Sequence, residues 1–214
     1  MLQKFFDERK RMVEHQLRAR GIYDARVLAA FESTPRHLFM PPALRKLAYE
    51  DHPHPIGFGQ TISQPYIVAY MLQALELTGA ERVLEVGTGS GYQTALLSAL
   101  ALEVHSIELI PALADRAEQT LADLGVKNVL IHIGDGSQGW LESAPYDAII
   151  VSAAAPRVPK SLLEQLSDHG RMILPIGVSE FQELELWRRE GDAYLQEVLL
   201  PVTFVRLRGK EGYE

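Results

Sequence analysis

Apolar positions Phe5, Phe6, Val13 and Leu17 recur among charged residues up to Arg20, the one-sided spacing of an amphipathic helix, and Gly21 is placed to end it. Asp24 can cap a second short helix through Val27, Leu28 and Phe31, halted near Pro35. Leu38, Phe39 and the Pro41-Pro42 pair lead into a third around 44–49. After a loop at 51–60 punctuated by proline and glycine, Thr61 to Pro65 opens a helix with apolar positions at Ile67, Met71, Leu72 and Leu75, and Thr78-Gly79 ends it. No convincing strand is expected in these roughly eighty residues, which read as a helical cover packed on the remainder of the chain.

From Arg82 the pattern changes to short apolar runs alternating with helical periodicity. Strands are expected at 83–86, 104–108, 129–133, 148–151 and 172–175, with helices over 95–101, 112–124 (stopped by Gly125) and 162–167 (stopped by Gly170). Repeats of this length require parallel pairing with right-handed crossovers. The last stretch reads differently: Leu184 to Trp187, a turn at Glu190-Gly191-Asp192, and a long run from Tyr194 to Leu207 predict an antiparallel hairpin. The expected fold is therefore α/β: a doubly wound, mostly parallel sheet with a C-terminal antiparallel hairpin and an N-terminal helical cover. One domain should span 1–214, with 1–80 as cover and substrate loop and 81–214 as core.

Composition narrows the class. A hydrophobic share of 47% with 23% charged residues is ordinary for a globular chain, and the formal charge of −7, with scattered basic residues, argues against a nucleic-acid partner. There is no cysteine, so disulfides, thiolate metal sites and cysteine nucleophiles are excluded. The first ten residues are too charged for a signal peptide and no apolar run approaches membrane-spanning length, so a cytoplasmic location without membrane contact is expected. With no heptad run or broad apolar stripe, a monomer is expected.

The chemistry is concentrated at 84–92, Leu-Glu-Val-Gly-Thr-Gly-Ser-Gly-Tyr, between an apolar strand and a helical pattern. Gly87, Thr88, Gly89 and Gly91 follow G-x-G-x-G spacing, unlike the G-x-G-x-x-G turn that seats a pyrophosphate. A carboxylate at Glu85, expected at the mouth of this turn, would oppose a pyrophosphate and suit the ammonium and sulfonium charges of S-adenosyl-L-methionine. Glu108 ends the second strand, 21 residues after Gly87, where it can accept hydrogen bonds from both ribose hydroxyls. Gly134-Asp135-Gly136 follows the third strand at the same sheet edge, suited to a flat adenine whose amino group Asp135 accepts.

His52 and His54 alternate with prolines and lack a third ligand, so no metal site is expected. After the fourth strand, Ser152-Ala153-Ala154-Ala155-Pro156 lacks the Asn or Asp, paired prolines and aromatic residue with which base N-methylating enzymes hold an amine, pointing to an oxygen nucleophile. The residues alone leave open a methyltransferase of some other oxygen acceptor and a cofactor-binding module without transfer activity.

Four blocks decide between these readings: 56–65 with its Gly-Gln-Thr-Ile-Ser core, 84–92, 146–154, and 170–177. Together they resemble the protein-L-isoaspartate O-methyltransferases over nearly the whole chain, and the first block is the specific one. The resemblance implies a Rossmann-like methyltransferase fold and transfer of a methyl group from S-adenosyl-L-methionine to the free carboxylate of L-isoaspartyl residues in damaged proteins and peptides, initiating repair through a succinimide. It implies an active-site role for Ser63 at the acceptor carboxylate, with Gln60, Thr61 and Ile62 beside the cofactor; Ser63 also reads as a helix N-cap. The segment 201–208 corresponds to the family stretch that lies against the peptide, but Arg206 replaces its usual proline and Arg208 an uncharged residue. One of these arginines is expected to favour acidic peptides.

Overall fold

The computed structural model describes residues 2–178 and 181–213. Helix α1 (Leu2–Met12) runs on through a π turn at Val13–Leu17 and a 3-10 turn at Arg18–Arg20, then stops at Gly21, which is left-handed with φ 91°. Asp24 caps α2 (Ala25–Ser33), its side chain accepting from the Arg26 and Val27 amides. Two 3-10 turns, Arg36–Phe39 and Pro42–Leu47, complete the cover. Arg36 is fully buried, donates to the Ala48 carbonyl at 2.8 Å, and sits 5.1 Å from the ring centre of Tyr92, so the cover is anchored directly behind the glycine turn.

The loop at 51–60 is more regular than the expectation. It contains an antiparallel pair, β1 (His54–Gly57) and β2 (Gln60–Ile62), joined by Gly57-Phe58-Gly59, all three at positive φ. Two glycines permit a turn that the proline-rich composition concealed. Helix α3 (Pro65–Ala74) follows, with proline at its first turn.

The core comprises β3 (Arg82–Val86), α4 (Tyr92–Ser98), β4 (Glu103–Glu108), α5 (Pro111–Asp123), β5 (Val129–Ile133), β6 (Tyr146–Val151), α6 (Lys160–Glu164), β7 (Leu166–Val178), β8 (Phe181–Glu190) and β9 (Ala193–Val202). Their order in the sheet is β5-β4-β3-β6-β7-β8-β9, parallel from β5 to β7 and antiparallel across β7, β8 and β9. The doubly wound expectation holds. Connections run outward in opposite directions from the β3–β6 pair, opening a crevice at the carboxyl ends of these two strands. Apolar clusters cover both faces; one includes Phe31 of α2, Leu72 of α3 and Leu96 of α4 together, and the other Leu162 of α6 with Ile149 and Met172.

Two boundaries differ from expectation. The helix expected over 162–167 ends at Glu164, because Leu166 is already fully buried in register with Tyr146. Residues 167–170 bulge before Arg171 pairs with Ala148, and a Cβ at Gly170 would come 2.8 Å from the Ser167 carbonyl oxygen. The run expected to 207 leaves the sheet at Val202. The Gln182 side chain then holds Phe204, donating to its carbonyl at 3.1 Å and accepting from its amide at 2.7 Å. Beyond it the chain crosses the end of β6, where the Ala154 amide donates to Val205 O and the Leu207 amide to Ala154 O.

Candidate active site

At the crevice, β3 delivers Gly87 and β6 delivers Ser152. A Cβ on Gly87 would lie 3.5 Å from Ser152 Cβ, so the turn passes the neighbouring strand end with nothing between. An open cleft lies here, bounded by both strand ends. It is lined by Gln60, Thr61, Ile62 and Ser63 from the hairpin side, Gly87, Thr88 and Gly89 from the turn, Glu108, Gly136, and Val205 to Arg208 from the C-terminal segment. A second cleft, lined by Pro53, Ile67, Pro201, Val202, Thr203 and Phe204 among others, shares four residues with the first: Thr61, Ser63, Ser152 and Val205. Ser63 therefore stands at the junction of two clefts.

Ser63 is half-buried and its hydroxyl has no hydrogen-bond partner among the described residues. It does not cap α3. The N-cap is Gln64, which makes no side-chain cap bond, and Asp51 Oδ1 accepts from the Tyr66 amide at 3.0 Å instead. The Gln64 side-chain Nε2 also donates to Asp51 Oδ2 at 2.8 Å, so Asp51 is held at the helix start, where it satisfies the Tyr66 amide and leaves the serine hydroxyl uncommitted.

Glu108 is almost fully buried at the cleft wall. Oε2 accepts from the Gly89 amide at 2.8 Å and Oε1 from the Ile110 amide at 2.9 Å, which fixes the carboxylate and ties the glycine turn to the end of β4. One amide on each oxygen leaves acceptor capacity on both.

Glu85 departs from its expected position at the mouth of the turn. It is completely buried beneath the turn and outside the cleft lining, accepting from Gln93 at 3.0 Å, Thr94 at 2.5 Å and Ser106 at 2.6 Å. Burial pushes its carboxyl up to about 7, against the pull of those three donors. The Gln93 amide also donates to Ser152 Oγ at 2.7 Å, and Thr88 Oγ1 lies 2.5 Å from Ser106 Oγ. Glu85 thus knits the turn, α4, β4 and the end of β6 together rather than facing a ligand. Its inward aim comes from strand alternation, which the apolar neighbours on both sides obscured.

Gly91 also lies outside the cleft. It is the left-handed N-cap of α4, and a Cβ there would sit 3.0 Å from Ala117 Cβ, so α5 packs against it. Gly134 and Asp135 line a neighbouring cleft with Trp140 that meets the first at Ile107. Asp135 accepts from Ser137 N at 3.0 Å, Ser137 Oγ at 2.7 Å, Gln138 Nε2 at 3.1 Å and Lys210 N at 2.8 Å, donors that hold its carboxyl below the usual range despite partial burial. Its side chain therefore fastens the C-terminal segment, while Gly136 beside it reaches the main cleft. A Cβ at Gly136 would come within 2.5 Å of Val86 Cγ1, so only glycine fits.

Several lining residues were invisible to sequence reasoning. Leu109 and Ile110 belong to the loop after β4 with no distinctive spacing, and only the reversal of strand order between β3 and β6 brings them together with Ser152 and Val205. Arg206 and Arg208, expected on the peptide, line the first cleft and not the second, and the Arg206 guanidinium lies 5.1 Å from the ring centre of Tyr213. Among the described residues no group of three or more His, Cys, Asp or Glu could hold a metal, and no helix is long and apolar enough to cross a membrane.

A family model described as Protein-L-isoaspartate(D-aspartate) O-methyltransferase matches residues 7–212. The chain belongs to this family. A protein-L-isoaspartate O-methyltransferase 1 from Syntrophobacter fumaroxidans is 52% identical over 210 residues, covering 98% of each chain. The corresponding protein of Syntrophus aciditrophicus is 55% identical over 216 residues, covering 100% of this chain and 99% of its own. A protein-L-isoaspartate O-methyltransferase crystal structure from Plasmodium falciparum, in complex with S-adenosyl-L-homocysteine, superposes with a TM-score of 0.82 at 26% identity, over 94% of this chain and 98% of that one. The resemblance carried by the four sequence blocks is thereby confirmed, as is the Rossmann-like methyltransferase fold. This family member is an S-adenosyl-L-methionine-dependent protein carboxyl O-methyltransferase acting on isoaspartyl residues. The cleft suits that cofactor: it offers a fixed carboxylate with spare acceptor capacity at Glu108, glycine backbone at 87 and 89 in a left-handed turn, and at 136 a glycine with no room for a Cβ.

Proposed function

We propose that methyl transfer takes place at Ser63, at the junction of the two clefts, with the cofactor on the Gly87 side and the isoaspartyl peptide on the Pro201–Phe204 side. What supports this reading is one observation: Ser63, with an uncommitted hydroxyl, lines both clefts. Bound S-adenosyl-L-methionine supplies an electrophilic methyl group at its sulfonium centre. The chain's own residues bind, orient and keep water away. Glu108 receives the ribose hydroxyls; Ile107 and the Gly134-Asp135-Gly136 turn take the adenine; Gln60, Thr61 and Ile62, facing Gly87 to Gly89, close over the amino-acid end.

No histidine, lysine or aspartate lines either cleft among the described residues, and the acceptor needs none. A carboxylate with a pKa near ~4 is ionised at neutral pH, so no proton has to be removed. The Ser63 hydroxyl donates to one acceptor oxygen and leaves the other free to attack. Holding the two reactants in line is worth roughly 7 to 11 kcal/mol in favourable cases, enough for so sparse a set of groups. The methyl ester then closes to a succinimide without further help from the chain, as the substrate's own backbone amide nitrogen attacks the ester carbonyl, loses its proton and expels methanol.

We further infer that 1–214 acts as one domain, as a cytoplasmic monomer on protein rather than nucleic acid. Shared core packing between cover and sheet supports the first, and the net charge of −7 the last. A sedimentation mass of two chains would overturn the monomer. The deciding test for Ser63 uses labelled S-adenosyl-L-methionine with paired peptides containing L-isoaspartate or aspartate. Selective, base-labile labelling is expected, and Ser63→Ala should lower kcat/KM by about 10- to 100-fold, the loss of one hydrogen bond to a charged group. Unchanged kcat/KM would remove Ser63 from the mechanism.

A further inference from the structure

We propose that Arg116 is a positioning residue for methyl transfer, setting the β1–β2 hairpin that leads to Ser63 in register with the cofactor turn. The inference rests on the placement of the reaction at Ser63.

Helix α5 touches both halves of the site through consecutive residues. Ala117 packs on the glycine turn at Gly91. Arg116 reaches the hairpin: Nη2 donates to the Ile56 carbonyl at 2.9 Å, and the guanidinium lies 5.7 Å from the ring centre of Phe58. The hairpin in turn lies against the cofactor turn, where a Cβ on Gly89 would sit 3.5 Å from Ile56 Cδ1. Ile56, Gly89, Ser90 and Arg116 line one small cavity together. The turn, the hairpin and α5 therefore form a closed three-way contact.

The hairpin needs such a brace. Its strands have only four and three residues, too short to be stable alone. Its turn holds Phe58 at φ 55°, a costly conformation for a residue with a side chain, and leaves the residue 58% exposed. Among the described residues, Arg116 provides the one side-chain hydrogen bond to the backbone of 54–62. This short segment leads straight into Ser63, so a shift at Ile56 is passed to the acceptor group. Misplacement of reacting atoms by an ångström costs a large part of the rate while leaving the contacts that bind each reactant largely in place.

The test compares Arg116→Ala, Arg116→Lys and Ser63→Ala with the parent on an isoaspartyl peptide, measuring kcat, both KM values and thermal unfolding. Arg116 is exposed on a helix, so Arg116→Ala should fold and unfold as the parent does. The expected result is a kcat reduced about tenfold, with the KM for S-adenosyl-L-methionine within about twofold, and substantial recovery in Arg116→Lys, which keeps a donor and a cation. A kcat within twofold of the parent, or a loss that Arg116→Lys does not recover, overturns the proposal. Ser63→Ala reports separately: if it alone leaves kcat unchanged, the location of the reaction fails rather than the brace.

Discussion

The two halves of the proposed site are built by different means. The cofactor half rests on the carboxyl ends of β3, β4 and β6, whose parallel register places Gly87, Glu108 and Ser152 as a consequence of sheet geometry. The acceptor half consists of Ser63, entered from a short hairpin whose β2 also borders the cofactor cleft, and a chain segment that has left the sheet; these are held by side chains bonding to backbone: Arg116 to Ile56 in the hairpin, Asp51 to the Tyr66 amide just after Ser63, and Gln182 to Phe204. Ladder hydrogen bonds distribute support over many residues, whereas a bracket depends on one. Damage to the first half should therefore abolish cofactor binding, and damage to the second should impair alignment while cofactor binding survives.

The largest expected effect tests the cofactor half. Gly91→Val places a β-branched residue at φ 84° against Ala117, a combination of backbone strain and crowding expected to cost more than about 2 kcal/mol. Thermal unfolding should come at a lower temperature, and affinity for S-adenosyl-L-homocysteine, measured by titration calorimetry on the folded protein, should fall as the displaced turn no longer fits the cofactor. Ser63→Ala, which touches the other half, should leave that affinity within about twofold while lowering turnover. If both substitutions weakened cofactor binding equally, the division into two halves would be wrong.

Glu85 sharpens the comparison through pH. Its carboxyl is held at about 7 in the folded chain against an ordinary value of 4.5, with burial as the cause. The folded state therefore binds this proton more tightly than the unfolded state does. The contribution to stability is fully present below about 4.5 and is lost as pH rises through about 7. Between these limits it amounts to roughly 3 kcal/mol. Glu85→Gln cannot titrate, so urea midpoints at pH 5 and 8 should differ less in the variant than in the parent; equal differences would show that Glu85 does not titrate there.

The smallest effects concern Arg206 and Arg208, whose exposed side chains border the cofactor cleft beside its meeting with the acceptor cleft. Screened by solvent, each should contribute modestly to capture of acidic peptides. Arg206→Ala and Arg208→Ala are expected to raise the peptide KM by about two- to fivefold, more at low salt than at high. If neither KM moves, the preference for acidic peptides is dropped.

Hydrophobic periodicity was sufficient for the alternation of strands and helices, the parallel sheet and its antiparallel end, because these depend on period and segment length. It missed the β1–β2 hairpin, where prolines and glycines concealed strands of three and four residues. It extended a helix through 167, because the bulge at 167–170 is stabilised by pairing across to Tyr146 and not by local preference. Ser63, Glu108 and the glycine turn were legible as motifs. Leu109, Ile110 and Arg116 were not, since nothing local marks a residue whose importance comes from what faces it.

By itself, then, the chain's order of residues determined the fold class, the family and the glycine turn, all of which depend on spacing along one dimension. Tertiary structure alone decided which way the side chains at that turn point. Three carboxylates were expected to face the cofactor; Glu108 lines the cleft, Asp135 is taken up by Ser137, Gln138 and Lys210, and Glu85, on the preceding strand, is buried among Gln93, Thr94 and Ser106. Strand alternation and the helices packed on each face settle that difference, because a carboxylate can remain inside only where donors from several distant segments converge on it.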